Sequence, residues 1–296
     1  MGQLPLTAGL EPRIPSPLRE LDDARLADRG LRLLLKRDDL IHPDLPGNKW
    51  RKLKYNLEAA VAQGSRTLLT FGGAYSNHVR AVAAAGKLLG FSTIGVIRGE
   101  ERLPLNPSLR FAADQGMRLA YMDRTTYRAK HTADVVDGLR RRFGDFYLLP
   151  EGGSNALAVA GCTEIPAEIE PRFDVLCCAC GTGGTLAGVA GGLRRRQRAV
   201  GFSALKGGGF LADDVARLQT DGLGRGTDNW EIDVDFSFGG FAKTTPDLDA
   251  FVDDFERRHG LRLDRVYVAK MMYGVFRRAE QGRFAPGSVV VALITG

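Results

Sequence analysis

Short, near-continuous apolar runs alternate along this chain with longer segments whose apolar residues recur every three or four positions. The runs at Leu31–Lys36, Thr67–Phe71, Ser92–Arg98, Arg118–Asp123, Phe146–Pro150, Asp174–Cys180, Ala199–Leu205 and Ser288–Thr295 predict strands. Helical periodicity predicts helices at Trp50–Gln63, Val79–Leu89, Pro107–Gln115, Ala133–Phe143, Ala156–Glu168, Leu186–Arg194, Phe210–Gln219, Leu248–Arg258 and Ala269–Gln281. Strands such as Val289-Val290-Val291-Ala292-Leu293 lack polar alternation, as expected of parallel strands buried on both faces between helices. The alternation of the two element types predicts a doubly wound α/β architecture. A change of domain is expected near Glu151-Gly152-Gly153-Ser154-Asn155, where glycine and polar residues follow a strand.

Composition narrows the class. The 296 residues, 44% hydrophobic and 26% charged, describe an ordinary folded protein of two domains or one large α/β unit. No run approaches the roughly 20 apolar residues of a membrane span. The first ten residues lack a basic region and a long apolar core, so no secretory signal is expected and a cytoplasmic location is. Cys177, Cys178 and Cys180 crowd one strand while Cys162 stands apart; lacking a second ligand pair, they read as small buried hydrophobes rather than a metal site. The net charge of +6 comes with 9 lysines against 32 arginines, scattered except at Arg140–Arg142 and Arg194–Arg196, where helices are expected to end. That dispersal argues against a nucleic-acid surface and for a mild field favouring anionic small molecules.

Two glycine-rich turns join strand to helix. In Gly181-Thr182-Gly183-Gly184-Thr185, successive N–H groups and a helix N-terminus can form a phosphate cradle; tight helix–strand packing is the other reading. No G-x-x-x-x-G-K-[ST] loop is present, and the dinucleotide G-x-G-x-x-G fails at Leu186, so a cradle here would hold one small phosphate. In Gly72-Gly73-Ala74-Tyr75-Ser76-Asn77-His78 the hydrolase elbow fails at His78. Ser76, Asn77 and His78 can offer N–H groups to a substrate carboxylate, or Ser76 and Asn77 can simply cap a helix. Lys49, in Gly47-Asn48-Lys49-Trp50-Arg51, sits at a helix mouth, either solvated or, with few nearby anions and the cationic neighbour Arg51 disfavouring its charged form, suited to imine chemistry.

Taken in order, Lys-Arg-Asp-Asp at 36–39, Gly-Asn-Lys at 47–49, Ser-Asn-His at 76–78, the Gly181–Thr185 turn, Val266-Tyr267-Val268-Ala269-Lys270 and Thr295-Gly296 resemble the pyridoxal-phosphate enzymes of the tryptophan-synthase-β fold group. More narrowly, they are similar to the family uniting 1-aminocyclopropane-1-carboxylate (ACC) deaminase with D-cysteine desulfhydrase. The resemblance runs from about Pro17 to the end. It implies fold type II: two open, twisted, mostly parallel sheets flanked by helices. Residues 1–48 with 152–296 would form the larger, cofactor-binding domain and residues 49–151 the smaller one. It further implies pyridoxal 5'-phosphate as cofactor, a small amino-acid substrate and a homodimer.

The resemblance assigns Lys49 to carry the cofactor covalently and move the α-proton, and Asn77 to bond the phenolic oxygen. Gly181, Thr182, Gly183, Gly184 and Thr185 would hold the phosphate, and Thr295 would face the pyridine nitrogen. Ser76 would stand beside the substrate α-carbon and Tyr267 along the ring, with Asn77, His78 and Phe241 toward the substrate. Departures occur where the deaminase branch has a glutamate (here Val268) and a leucine (here Thr295), at Phe241 in place of a tyrosine, and at Glu151 in place of an apolar residue. A neutral hydroxyl facing the pyridine favours β-elimination to pyruvate, ammonia and sulfide over opening a cyclopropane ring. The alternatives are ACC deaminase, a non-catalytic pyridoxal-phosphate binder, and a cofactor-free hydrolase using Ser76 and His78. His42, His131 and His259 are expected at the surface.

Overall fold

The computed structural model describes residues 11–45 and 47–295; expectations placed on the first ten residues, Pro46 and Gly296 lie outside these. Ten strands are described: β1 (Leu18–Leu21), β2 (Arg32–Arg37), β3 (Thr67–Gly72), β4 (Ser92–Arg98), β5 (Arg118–Met122), β6 (Tyr147–Leu149), β7 (Val175–Cys180), β8 (Arg198–Ser203), β9 (Trp230–Asp233) and β10 (Val289–Ile294). The helices are α1 (Ala24–Ala27), α2 (Asn48–Ala62), α3 (Asn77–Leu89), α4 (Pro107–Asp114), α5 (Arg124–Arg128), α6 (Ala133–Phe143), α7 (Ala156–Cys162), α8 (Gly184–Gly192), α9 (Leu211–Leu223), α10 (Pro246–His259) and α11 (Val268–Glu280). They fall into two compact units. One holds Lys49–Ser154 with His42–Leu45; the other holds Arg13–Ile41, residues 47–48 and residues 155–295.

The smaller unit is built on a four-stranded sheet in the order β5-β4-β3-β6, parallel throughout. One face buries Leu69, Phe71, Ile94, Val96, Tyr127 and Leu139. On β4, Gly95 leaves room for Met117, whose Sδ lies 2.7 Å from where a Cβ would stand. Helix α3 starts where the Ser76 side chain accepts the Val79 N–H and stops at the left-handed Gly90.

The larger unit has six strands ordered β1-β2-β10-β7-β8-β9, all parallel except the β1–β2 pair. Helices cover both faces, as the apolar runs require. Along β7 the side chains alternate: Cys177 joins the core made with α10 and α11, while Leu176, Cys178 and Cys180 join the core made with α7, α8 and α9. All four cysteines are buried and free, and no metal-ligand cluster occurs among the described residues. Among the described residues no helix is long and apolar enough to cross a membrane.

Several expectations needed correction. Strands β1 and β9 and helices α1 and α5 carried too few periodic residues to be recognised. The helix expected over Ala156–Glu168 is two pieces, α7 and a 3-10 turn at Ile165–Glu168, because Pro166 cannot continue an α-helical ladder. Arg140–Arg142 do occupy the last turn of α6, but Arg194–Arg196 lie beyond the end of α8. His131 is exposed. His42 is not: it is buried, its Nδ1 accepting the Asp44 and Leu45 N–H groups at 3.1 and 3.3 Å. His259 also turns inward, its Nε2 3.0 Å from Asp23 Oδ2 and its ring tilted against Phe255 at 4.6 Å between centroids.

Candidate functional site

The glycine turn after β7 is forced by packing and open for binding at once. A Cβ at Gly183, where φ is +74°, would lie 2.7 Å from Val215 Cγ2, and one at Gly181 would lie 3.0 Å from the Tyr267 ring. Because Gly183 is the N-cap of α8 it offers no side chain, so the first amides of that helix have no side-chain cap. Uncapped amides at the positive end of a helix macrodipole favour an anion. Thr185, buried in the first turn, accepts a 2.9 Å hydrogen bond from Asn48 Nδ2, which fixes its hydroxyl. The two readings of this turn are therefore compatible, and a small phosphate fits its donor set.

The chain approaches this turn through Gly47. With φ of +68°, Gly47 passes so close to Thr295, just beyond β10, that a Cβ would stand 1.7 Å from the Thr295 carbonyl oxygen. Its N–H is held by the Asp38 carbonyl at 3.0 Å. Gly47, Asn48, Thr185 and Thr295 thus belong to one packed neighbourhood in the larger unit. Tyr267 is fixed at the mouth of α11, where the Asp264 carboxylate accepts the N–H groups of Val266, Tyr267 and Val268. Its ring packs on Gly181 and meets Phe241 edge-on at 5.9 Å. Val268 points into the apolar core instead and is almost wholly buried. Sequence reasoning missed Asp264 and also Lys270. Buried on α11, Lys270 donates to the Ser237 and Gly240 carbonyls at 2.9 and 2.6 Å, holding the loop that ends in Phe241.

The smaller unit carries the remaining candidates. Lys49 follows Asn48 in the first turn of α2 and is partly buried. One turn on, Lys52 is buried and donates to the Gly152 carbonyl at 3.0 Å and Ser154 Oγ at 2.9 Å. This lysine, also missed, ties the helix to the Gly152–Ser154 loop. Ser76 caps α3, so the capping reading holds, and Asn77 is the first residue of that helix. His78 is 1% exposed, with neither ring nitrogen hydrogen-bonded among the described residues. Its ring lies against Gly153, where a Cβ would be 2.7 Å from Cε1. Burial, and then the charges of Lys49 and Lys52, hold its pKa well below 6.5, so it is a neutral imidazole. Such a ring next to two lysines can position an anionic group but is a poor general acid.

Comparison with known proteins identifies the family. Residues 10–296 match the family model described as pyridoxal-phosphate dependent enzyme. A protein of Pyrococcus furiosus named putative 1-aminocyclopropane-1-carboxylate deaminase is 30% identical, the match covering 90% of this chain and 85% of the relative. A mitochondrial bifunctional D-cysteine desulfhydrase/1-aminocyclopropane-1-carboxylate deaminase of Arabidopsis thaliana is also 30% identical, over 88% of this chain and 71% of its own length. The crystal structure of an ACC deaminase homologue superposes with a TM-score of 0.84 at 28% identity, covering 100% of this chain and 95% of the other. By these matches, and with the α/β fold of two mostly parallel sheets, the chain belongs to the family of pyridoxal-phosphate-dependent enzymes.

Proposed function

We propose that this protein is a pyridoxal-phosphate-dependent lyase of small amino acids, acting on D-cysteine by β-elimination. With one water, D-cysteine yields pyruvate, ammonia and hydrogen sulfide. The observation that carries the reading is the uncapped start of α8, whose Thr185 is tied to Asn48, the chain neighbour of Lys49. The amides of Gly181–Thr185 with the Thr182 and Thr185 hydroxyls hold the phosphate, in what we take to be the cofactor-binding domain. The Lys49 ε-amino group would hold the cofactor covalently. When bound, the cofactor supplies an electron sink for negative charge at the substrate α-carbon.

The other roles follow from the residues. Lys49 takes the α-proton, and the thiolate leaves from the β-carbon. Ser76, Asn77 and neutral His78 orient the substrate carboxylate, and Asn77 also bonds the cofactor's phenolic oxygen. Tyr267, braced on Gly181 and Phe241, closes one wall. Thr295 would offer the pyridine nitrogen a neutral hydroxyl, which supports elimination of a good leaving group. The second reading, ACC deaminase, is favoured by the name of the Pyrococcus furiosus relative. We further place the protein in the cytoplasm as a homodimer, which sedimentation velocity would test.

The purified protein with added pyridoxal phosphate is expected to be yellow and to release pyruvate and ammonia from D-cysteine and β-chloro-D-alanine. Lys49→Ala should lose both the colour and the products. Consumption of ACC but not of D-cysteine would transfer the assignment to the deaminase. Colour without product from any of the three would make the protein a binder.

A further inference from the structure

A second polar cavity lies in the smaller unit, on residues that the cofactor chemistry does not use. It measures about 300 Å³ and is lined by Arg98, Arg124, Tyr127, Arg128, Lys130 and Glu151. Its place in the fold is where open α/β sheets collect ligands, beyond the carboxyl ends of the strands. Arg98 is the last residue of β4, Arg124 and Arg128 lie on α5 just after β5, and Glu151 follows β6.

Four cations meet one carboxylate here. Lys130 Nζ is 3.1 Å from Glu151 Oε2, which accounts for that carboxylate. Among the described residues no carboxylate lies within ion-pair distance of Arg98, Arg124 or Arg128, so three guanidinium groups face the cavity without an anion. Tyr127 is part of its lining. The ring is braced edge-on by Phe71 at 5.9 Å, with Lys130 Nζ at 4.7 Å and Arg98 at 5.9 Å from its centroid. Tyr127 is only 2% exposed, yet its hydroxyl has no hydrogen-bond partner among the described residues. A buried hydroxyl left unpaired costs stability, so a partner supplied from the cavity would relieve that cost. Burial first, then the charge of the Glu151 carboxylate and its nearness to the hydroxyl, push its pKa up, so it stays a hydrogen-bond donor; Glu151 itself lies outside hydrogen-bond geometry and is held by Lys130.

We propose that this cavity binds a phosphate-bearing small molecule through Arg98, Arg124, Arg128 and the Tyr127 hydroxyl. Guanidinium forks match phosphate oxygens bidentately, and a phosphomonoester, which carries about −1.5 to −2 charge at neutral pH, offsets part of the local excess of positive charge. The volume leaves room for an organic remainder beside the phosphate. Arg98 also connects the cavity to the first glycine turn, its Nη2 lying 3.8 Å from where a Cβ on Gly73 would stand. Occupancy can therefore be felt at the segment leading to Ser76.

The test is isothermal titration calorimetry on the pyridoxal-phosphate-loaded protein at constant ionic strength, with glycerol 3-phosphate and inorganic phosphate as separate probes. Saturable binding is expected, weakened at least tenfold in Arg124→Gln/Arg128→Gln and severalfold in Tyr127→Phe. Both arginines are exposed, so these variants are expected to fold, which circular dichroism checks. Tighter binding of glycerol 3-phosphate would identify an organic phosphate as the ligand; equal binding would identify free phosphate. Heats unchanged in the double variant, or seen only with cofactor-free protein in which the Gly181–Thr185 turn is open, would overturn the proposal. Neither result would touch the assignment of Lys49, because no cavity residue takes part in it.

Discussion

Two single positions show how much chemistry rests on one side chain or its absence. At Gly47 the backbone is left-handed and a Cβ would overlap the Thr295 carbonyl, so Gly47→Ala must move one segment or the other. A loss of ~2 kcal/mol or more is expected in urea denaturation, with weaker retention of pyridoxal phosphate. Stability equal to that of the parent would show that the two segments give way freely. At His78 the argument concerns protons. Its pKa in the folded chain lies well below 6.5, so the unfolded chain binds the proton first as pH falls. The neutral ring therefore contributes fully above pH 6.5, and that contribution is lost as pH drops below it, by at most about 1.4 kcal/mol per pH unit. In His78→Gln this acid-side slope should disappear, so parent and variant should converge in stability between pH 7 and pH 5. A constant difference across that range would mean that His78 is not the titrating group. The Ser-Asn-His triplet was visible in the sequence, but the state of the imidazole was not. Gly153 and Lys52, which create its environment, have no local relation to it along the chain.

Elements with strong periodicity were legible because each carries its own signal. Helix α4 announces itself through Asn106 and Pro107, and α10 through Thr245, Pro246 and Gly260. β1 and β9, four residues each, are assigned to strands by pairing partners rather than by their own composition. The start of α11 is intermediate: its apolar face was evident, whereas the Asp264 cap and the reach of Lys270 emerged only from the folded chain. Lys270 is the cross-brace of that region. Burial lowers its pKa, but two carbonyl acceptors compensate the charge and fix the loop before Phe241. Lys270→Met should cost ~2 kcal/mol and release the Ser237–Gly240 segment. The direct measurement is amide hydrogen exchange, expected to quicken across residues 237–241 while β10 stays protected. Lys270→Arg should not restore it, because a planar fork cannot place one nitrogen between both carbonyls. Unchanged exchange in the loop would assign its order to the Phe238–Tyr273 packing instead.

At the scale of the whole molecule, the α/β class was legible because it depends only on the alternation of apolar runs with amphipathic segments. The sheet order was not, since hydrophobicity says that a strand is buried without saying beside which other. β10, near the end of the described chain, lies between β2 and β7, and no local signal marks that insertion. What hydrophobicity does dictate is that a central strand of the larger sheet has no solvated face, and the cysteines of β7 make this measurable. Cys177 faces one core and Cys178 and Cys180 the other, with Cys162 packed into the second core from α7. Burial pushes the Cys177 thiol up to about 12, and hydrogen bonding to Cys180 together with burial raises Cys178 well above its ordinary range. Thiol reagents attack the thiolate, so the native protein should present almost none to them. An Ellman titration should therefore find no fast-reacting thiol in the native protein and all 4 in denaturant. The slow native reaction should follow the opening of the larger sheet, and its rate should rise in Gly47→Ala if that substitution weakens the packing between Gly47 and β10. A cysteine that reacts at once in the native state would mean that one face of β7 is open to water, and the two-faced burial of the sheet would have to be abandoned.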